Sequence, residues 1–235
     1  MAKASTITQD VYDKLRADLL SCRLAPGDRL RIEVLCHRVS AGSSAVREAL
    51  SRLASEGFVT MEPQRGFRVT PLSFAELRDL TATRCQIEAL CIRNAVAHAD
   101  VEWEAGVVTA LHRLARTPKR AEDDSARYND AFGTANALFH AAVAATCRSP
   151  SLLQIREMLL FRQERYLWLS MPLAKVERDV HAEHEAIARA ALARDAEATV
   201  EATASHLQRT ADIILSSCVA DDDLAVPNPS RMRVA

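Results

Sequence analysis

The spacing of apolar residues changes near Pro71 and divides the chain into two parts. After Pro71, apolar residues recur three and four positions apart, as at Leu77, Leu80, Ile87 and Leu90. This spacing is typical of amphipathic helices, and it predicts helices at 74–98, 101–116, 121–147, 149–170, 173–193 and 195–217. We therefore expect an all-α antiparallel helical bundle over 73–218, followed by a disordered tail over 219–235.

The first 72 residues hold four of the six glycines, and their apolar segments are short. They predict helices at 9–21, 32–38 and 45–56 and strands at 58–61 and 67–70. The third helix has an apolar face formed by Val46, Ala49, Leu50 and Leu53. Ser44 is placed to cap the first turn of this helix.

A short turn containing Gly42 joins the second and third of these helices, and the third exposes serine hydroxyls and Arg47. Such a pair can place its second helix in the major groove of DNA. The polar loop from Glu62 to Gly66 would then form a wing. A winged helix-turn-helix over 1–72 is one interpretation, and a small helical domain with a surface hairpin is the other.

Charge and composition narrow the class of protein. Residues 1–71 carry 11 Lys and Arg against 8 Asp and Glu, whereas the remainder carries 19 against 23. The basic end is therefore the candidate for phosphate contact. The chain shows no apolar run of membrane-span length, no secretory signal and no CxxC pair among its six cysteines. We expect a cytoplasmic protein without a membrane partner.

Four segments of the N-terminal part resemble the GntR family of winged-helix regulators. They are the turn Pro26-Gly27 with Leu30, the run Ala45-Val46-Arg47-Glu48-Ala49-Leu50, the segment Glu56-Gly57-Phe58-Val59, and the segment Arg65-Gly66-Phe67-Arg68-Val69. The resemblance implies that double-stranded operator DNA is bound by Arg31, Ser43, Ser44, Arg47, Gln64, Arg65 and Gly66. Many members have Ser-Arg where this chain has Gly42-Ser43, which implies a different operator sequence.

Histidines in the C-terminal part suggest a metal site. Asn136 and His140 are four residues apart and so share one helix face. His184 and His206 lie on later helices that an antiparallel bundle can bring close. Three imidazoles and one oxygen suit zinc, nickel or a similar divalent ion. Surface or satisfied core histidines explain the same spacing, so the spacing leaves both interpretations open.

The same part resembles the helical effector domain of the FadR subfamily, called FCD. The resemblance rests on Arg84–Glu88, Asn136–His140, Glu183–Ile187, Arg194–Ala196 and Ser205–Leu207. It implies a divalent metal held by Asn136, His140, His184 and His206, with Asn in place of the usual Asp. It also implies a small carboxylate effector bound with help from arginine, and similarity to one carbon-starvation-induced member suggests a dicarboxylate such as glutarate.

Arg84 is the first candidate to bind the effector, and Arg162 and Arg165 are further candidates. An ion pair of Arg84 with Glu88 on the helix surface is the alternative. The function expected from the whole chain is a homodimeric transcription regulator, a repressor, and not an enzyme. A metal-dependent hydrolase and a direct metal sensor remain as alternatives.

Overall fold

The computed structural model describes residues 6–120, 129–170 and 178–217. Over these ranges the chain forms two compact units that divide between Phe74 and Ala75. The expected tail at 219–235 and the expected helix starts at 121 and 173 lie outside the described residues. Each unit is described by itself below.

The N-terminal unit contains three helices and a small sheet. The elements are α1 (Ile7–Leu20), β1 (Arg29–Leu30), α2 (Ile32–Val39), α3 (Ser43–Ser55), β2 (Val59–Glu62) and β3 (Gly66–Val69). The sheet is antiparallel in the order β1-β3-β2. The sequence did not predict β1, which is only two residues long and pairs Arg29 with Arg68.

The predicted apolar face of α3 is confirmed, because Val46, Ala49, Leu50 and Leu53 are all buried. The predicted cap is wrong. Gly42 is the N-cap residue and no side chain caps the helix, because the chain becomes helical at Ser43, before Ser44 can take the cap position.

The described residues of the C-terminal unit form six helices joined by turns and loops. Its elements are α4 (Phe74–Ala97), α5 (Val101–Ala115), α6 (Asp130–Val143), α7 (Pro150–Ser170), α8 (Val180–Leu192) and α9 (Ala196–Ser217). Helix α5 packs against α6 and α8, and α9 packs against α7 and α8. A core of buried side chains that includes Trp103, Phe139 and Ile187 lies between these helices.

Helix α6 ends four residues earlier than the predicted end at 147, and tertiary hydrogen bonds explain the difference. After Val143 the chain turns, and Thr146 Oγ1 donates to the carbonyl of Ala95 at 2.8 Å. The backbone N–H of Arg148 donates to Asn94 Oδ1 at 2.7 Å. The spacing of apolar residues does not predict these contacts with α4. None of the helices in the described ranges is long and apolar enough to cross a membrane.

Candidate functional site

Exposed arginines on the N-terminal unit form a candidate DNA-binding surface. Arg31, Arg47 and Arg65 are exposed, and in the described part of the chain they form no ion pair or side-chain hydrogen bond. Several other arginines of this unit are instead bound to carboxylates, as in the pairs Arg38–Asp18 at 2.6 Å and Arg68–Glu62 at 2.7 Å. The three exposed arginines therefore keep their charge available for phosphates.

The first turn of α3, the helix that carries Arg47, offers backbone donors. Ser43 and Ser44 are its first two residues, and both are exposed. Since no side chain caps the helix, the first backbone N–H groups are directed at its open end. Helix N-termini of this kind bind phosphate groups through their N–H donors and dipole.

The wing is a tight turn between β2 and β3. Gln64 and Gly66 both have positive φ, of 61° and 85°, and the N–H of Arg65 donates to the carbonyl of Glu62 at 3.0 Å. Left-handed backbone at Gly66 carries no Cβ penalty. The turn leaves the side chains of Gln64 and Arg65 exposed at its tip.

A polar contact fixes the C-terminal end of α3 against α1, and the sequence did not predict it. Tyr12 donates to the carboxylate of Glu56, with oxygen distances of 2.9 and 2.7 Å. The guanidinium carbon of Arg52 lies 3.8 Å from the centroid of the Tyr12 ring. Burial, followed by the hydrogen bond with Glu56, raises the pKa of Tyr12 to about 12.

In the C-terminal unit, α6, α8 and α9 bring three predicted histidines together. His140, His184 and His206 are buried, and each offers one ligand atom within 4.8 Å of the other two. The ring centroids of His184 and His206 are 4.6 Å apart. Asn136 is also buried, one turn before His140 on α6, and its amide makes no hydrogen bond with a described residue.

The three histidines are neutral in this environment. Burial, reinforced by the other two imidazoles, lowers the pKa of His140 well below its usual value. Burial likewise lowers the pKa of His184 to about 3, and it lowers the pKa of His206. The Nε2 atoms of His140 and His184 are buried without a hydrogen-bond partner in the described ranges. Neutral imidazoles with unpartnered nitrogens are what a divalent ion such as zinc or nickel requires of its ligands.

Glu183 orients the third histidine, and the sequence did not predict this role. Its Oε2 atom lies 2.9 Å from His206 Nδ1, which leaves Nε2 of that ring for the cluster. Arg178 donates to both carboxylate oxygens, and Arg209 donates to one. Burial alone would raise the pKa of Glu183, but the hydrogen bonds from Arg178 and His206 hold it below its usual range. The adjacency of Glu183 to His184 was the only sequence signal.

The predicted effector residues have different environments. Arg84 is buried and donates to Gln163 Oε1 at 2.6 Å and to Glu88 at 3.5 Å. The alternative ion pair of Arg84 with Glu88 is present, but it does not lie on the helix surface, because both side chains are only 3% exposed. Arg162 is partly exposed and donates to Glu76 at 2.7 Å, whereas Arg165 is buried.

A cavity of about 270 Å³ extends to the histidine cluster, since His184 is one of its lining residues. Lys119 and Arg178 line the same cavity. Burial, followed by the charge of Arg178, lowers the pKa of Lys119. Two cations thus lie along a space that reaches a candidate metal ligand.

Comparison with known families agrees with this architecture. The model of the bacterial regulatory proteins of the gntR family matches residues 7–69, and the model of the FCD domain matches residues 79–209. The HTH-type transcriptional regulator BphR of Paraburkholderia xenovorans (strain LB400) is 37% identical over 91% of this chain and 87% of its own length. The chain belongs to the GntR family of regulators.

A second relative, the HTH-type transcriptional repressor GlaR of Escherichia coli (strain K12), is 36% identical over 89% of this chain and 96% of its own length. Among solved structures, E. coli McbR/YncC superposes with a TM-score of 0.76 at 22% identity, covering 90% of this chain and 98% of that one. This structural likeness shows the shared fold. The protein is a transcription regulator with a DNA-binding and an effector domain, not an enzyme, so the hydrolase alternative is set aside.

Proposed function

We propose that this protein is a homodimeric repressor of the FadR subfamily that acts on cytoplasmic DNA and is controlled by a small carboxylate. The carboxylate binds beside a divalent metal ion, zinc or nickel, in the C-terminal unit. The observation that carries this proposal is the cluster of His140, His184 and His206, which are buried and neutral, with ligand atoms within 4.8 Å of one another. Repression is proposed because GlaR, a relative that aligns along most of the chain, is a repressor.

The ion would be held by the three imidazoles and the amide oxygen of Asn136. The unpartnered Nε2 atoms of His140 and His184 support this assignment, because buried polar atoms in folded proteins almost always have a partner. When bound, the ion supplies an attachment point for an anionic oxygen of the effector. Asn136 contributes no negative charge, so we expect weaker metal binding than an aspartate would give.

The effector is a small carboxylate, with a dicarboxylate such as glutarate among the candidates, and Arg84, Arg162 and Arg165 are its proposed contacts. Arg84 has the strongest support because it is buried and its Nε atom has no acceptor in the described ranges. A guanidinium group binds carboxylates through charge-assisted hydrogen bonds.

Operator DNA would be bound by Arg31, Ser43, Ser44, Arg47, Gln64, Arg65 and Gly66. The exposed, unpaired arginines and the uncapped start of α3 support this set. A two-fold dimer predicts a pseudo-palindromic operator whose half-sites lie about one helical turn apart. The effector changes DNA affinity only if it binds the DNA-competent and DNA-free arrangements with different affinity.

The test uses the full chain and DNA selected by the protein from a random-sequence pool. Metal content is measured by elemental analysis, and small mono- and dicarboxylates including glutarate are screened by thermal shift with and without chelator. We expect bound metal, a shift that needs both metal and acid, and release of DNA by the acid.

The matched control is His181→Ala, because His181 is exposed on the same helix as His184. His184→Ala should abolish metal retention, whereas His181→Ala should not. Absence of metal, together with no thermal shift on adding zinc, would contradict the proposal. Release of DNA by metal alone would instead favour a direct metal sensor.

A further inference from the structure

Two buried arginines flank one carboxylate in the interior of the C-terminal unit. Nη2 of Arg84 on α4 lies 3.5 Å from Oε1 of Glu88. Nε of Arg156 on α7 donates to Oε2 of the same carboxylate at 2.8 Å. The side chains of Arg84, Glu88 and Arg156 are 3%, 3% and 5% exposed. Arg156 was not among the residues that the sequence identified.

This group of three, the Arg84–Glu88–Arg156 triad, carries more positive than negative charge. Glu164, which is partly exposed, is close enough to Arg84 to act on its pKa, but it is not buried with the triad. Burial lowers the pKa of Arg84. The charge of Glu88 opposes this shift, and the charge of Arg156 adds to it. The excess positive charge of the triad is costly to bury, so a bound anion would stabilise it.

Each of the two guanidinium groups also has one nitrogen without an acceptor. Nε of Arg84 and Nη2 of Arg156 are buried and have no hydrogen-bond partner in the described ranges. Buried donors are normally satisfied by protein, water or ligand. Each arginine of the triad therefore has a buried donor that a ligand oxygen could satisfy.

Arg84 and Arg156 contact the two oxygens of the same Glu88 carboxylate. An effector that reaches Arg84, as the proposed function has it, therefore also comes close to Arg156.

Resting on the proposed function, we propose that Arg156 binds the carboxylate effector together with Arg84. The acidic group of the effector accepts hydrogen bonds from both guanidinium groups and supplies the negative charge that Glu88 alone does not. Arg156 thereby determines how strongly a carboxylate is preferred over a neutral analogue. The competing explanation is that Arg156 only neutralises Glu88.

The two explanations differ in what Arg156→Gln does once Glu88→Gln has removed the carboxylate. If Arg156 only neutralises Glu88, Arg156→Gln has no further effect on effector affinity in that background. If both arginines hold the effector, Arg156→Gln weakens effector binding there too. The double variant with Glu88→Gln and Arg156→Gln keeps the original charge balance, which protects the fold, but it lacks the Arg156 donors.

The experiment measures the affinity of the full chain, loaded with zinc, for glutarate, butyrate and butyramide by calorimetry. We expect Arg156→Gln to bind the two acids at least about tenfold more weakly than the wild type, the loss expected for a hydrogen bond to a charged group. The double variant should bind them more weakly than Glu88→Gln by a similar factor. Arg156→Lys keeps the positive charge but loses the planar set of guanidinium donors. Its affinity for the two acids should therefore lie between those of the wild type and Arg156→Gln.

The control is Arg189→Gln, because Arg189 is exposed on α8, and it should bind like wild type. Zinc affinity, measured separately, should be unchanged in the Arg156 variants. Equal affinity in Glu88→Gln and the double variant would overturn this inference alone. Failure of the wild-type protein to bind either acid would overturn the proposed function and this inference with it.

Discussion

The Nδ1 atom of His206 and the Oε2 atom of Glu183 lie 2.9 Å apart, although 23 residues separate them in the chain. This contact fixes which nitrogen of the imidazole faces the cluster. Metal-ligating histidines commonly use their second nitrogen in this way, and loss of the supporting partner typically weakens metal binding.

Glu183→Gln should therefore weaken zinc binding by about 10- to 100-fold. Its neutral amide can still reach His206, but it no longer supplies the charge that favours the correct tautomer. Competition with a chromophoric chelator measures the change. Arg209→Gln is the control, because Arg209 also contacts Glu183 but is exposed. Equal zinc affinity in both variants would contradict a supporting role for Glu183.

Asn136→Asp should instead strengthen zinc binding, measured by the same competition with a chromophoric chelator. A carboxylate oxygen in place of an amide oxygen adds a negative charge beside the ion, and we expect at least about tenfold tighter zinc binding. Leu138→Asp, on the same helix but exposed, tests whether added charge alone is sufficient. Should Asn136→Asp leave the affinity unchanged, Asn136 would not be a ligand.

Arg47→Ala and Arg65→Ala should each weaken DNA binding without lowering the melting temperature, because both side chains are exposed and unpaired in the described ranges. If each contacts a phosphate, the slope of log affinity against log salt should become less steep by about 1. Fluorescence anisotropy over a salt series measures this slope. Arg116→Ala, an exposed arginine of the other unit, should leave it unchanged.

Tyr12 should make the stability of the N-terminal unit depend on alkaline pH. Its pKa is about 12 in the folded protein, whereas an unfolded tyrosine ionises near pH 10. The stabilisation is complete below about pH 10 and is lost as pH rises toward about 12. The difference in tyrosinate absorbance between wild type and Tyr12→Phe should show one group titrating near the higher value. A midpoint near pH 10 in that difference would argue against the Glu56 contact.

Local patterns predicted most of the secondary structure. The buried face of α3 follows directly from the spacing of Val46, Ala49, Leu50 and Leu53. The cap of the same helix did not follow, because serine at 44 and glycine at 42 are both acceptable cap residues and only the backbone path decides between them. The early end of α6 depends on Thr146 and its partner on α4, which sequence spacing does not contain.

The candidate site was predictable only in part. The spacing of Asn136 and His140 predicts a shared helix face, but their proximity to His184 and His206 depends on the arrangement of three helices. The spacing of Arg84 and Glu88 predicts an ion pair and does not reveal that it is buried. Arg156 carries no local signal, since its partner Glu88 lies 68 residues away.

The start of α3 has a consequence for how DNA is bound. Because Gly42 provides no side-chain cap, a DNA phosphate can complete the first turn of the helix. The operator would then act as the missing cap, so amide hydrogen exchange at Ser43 and Ser44 should slow when DNA binds. An aspartate at position 42 would supply its own cap and place a negative charge where the phosphate binds. With glycine at position 42, the first turn of α3 would be capped only when DNA binds.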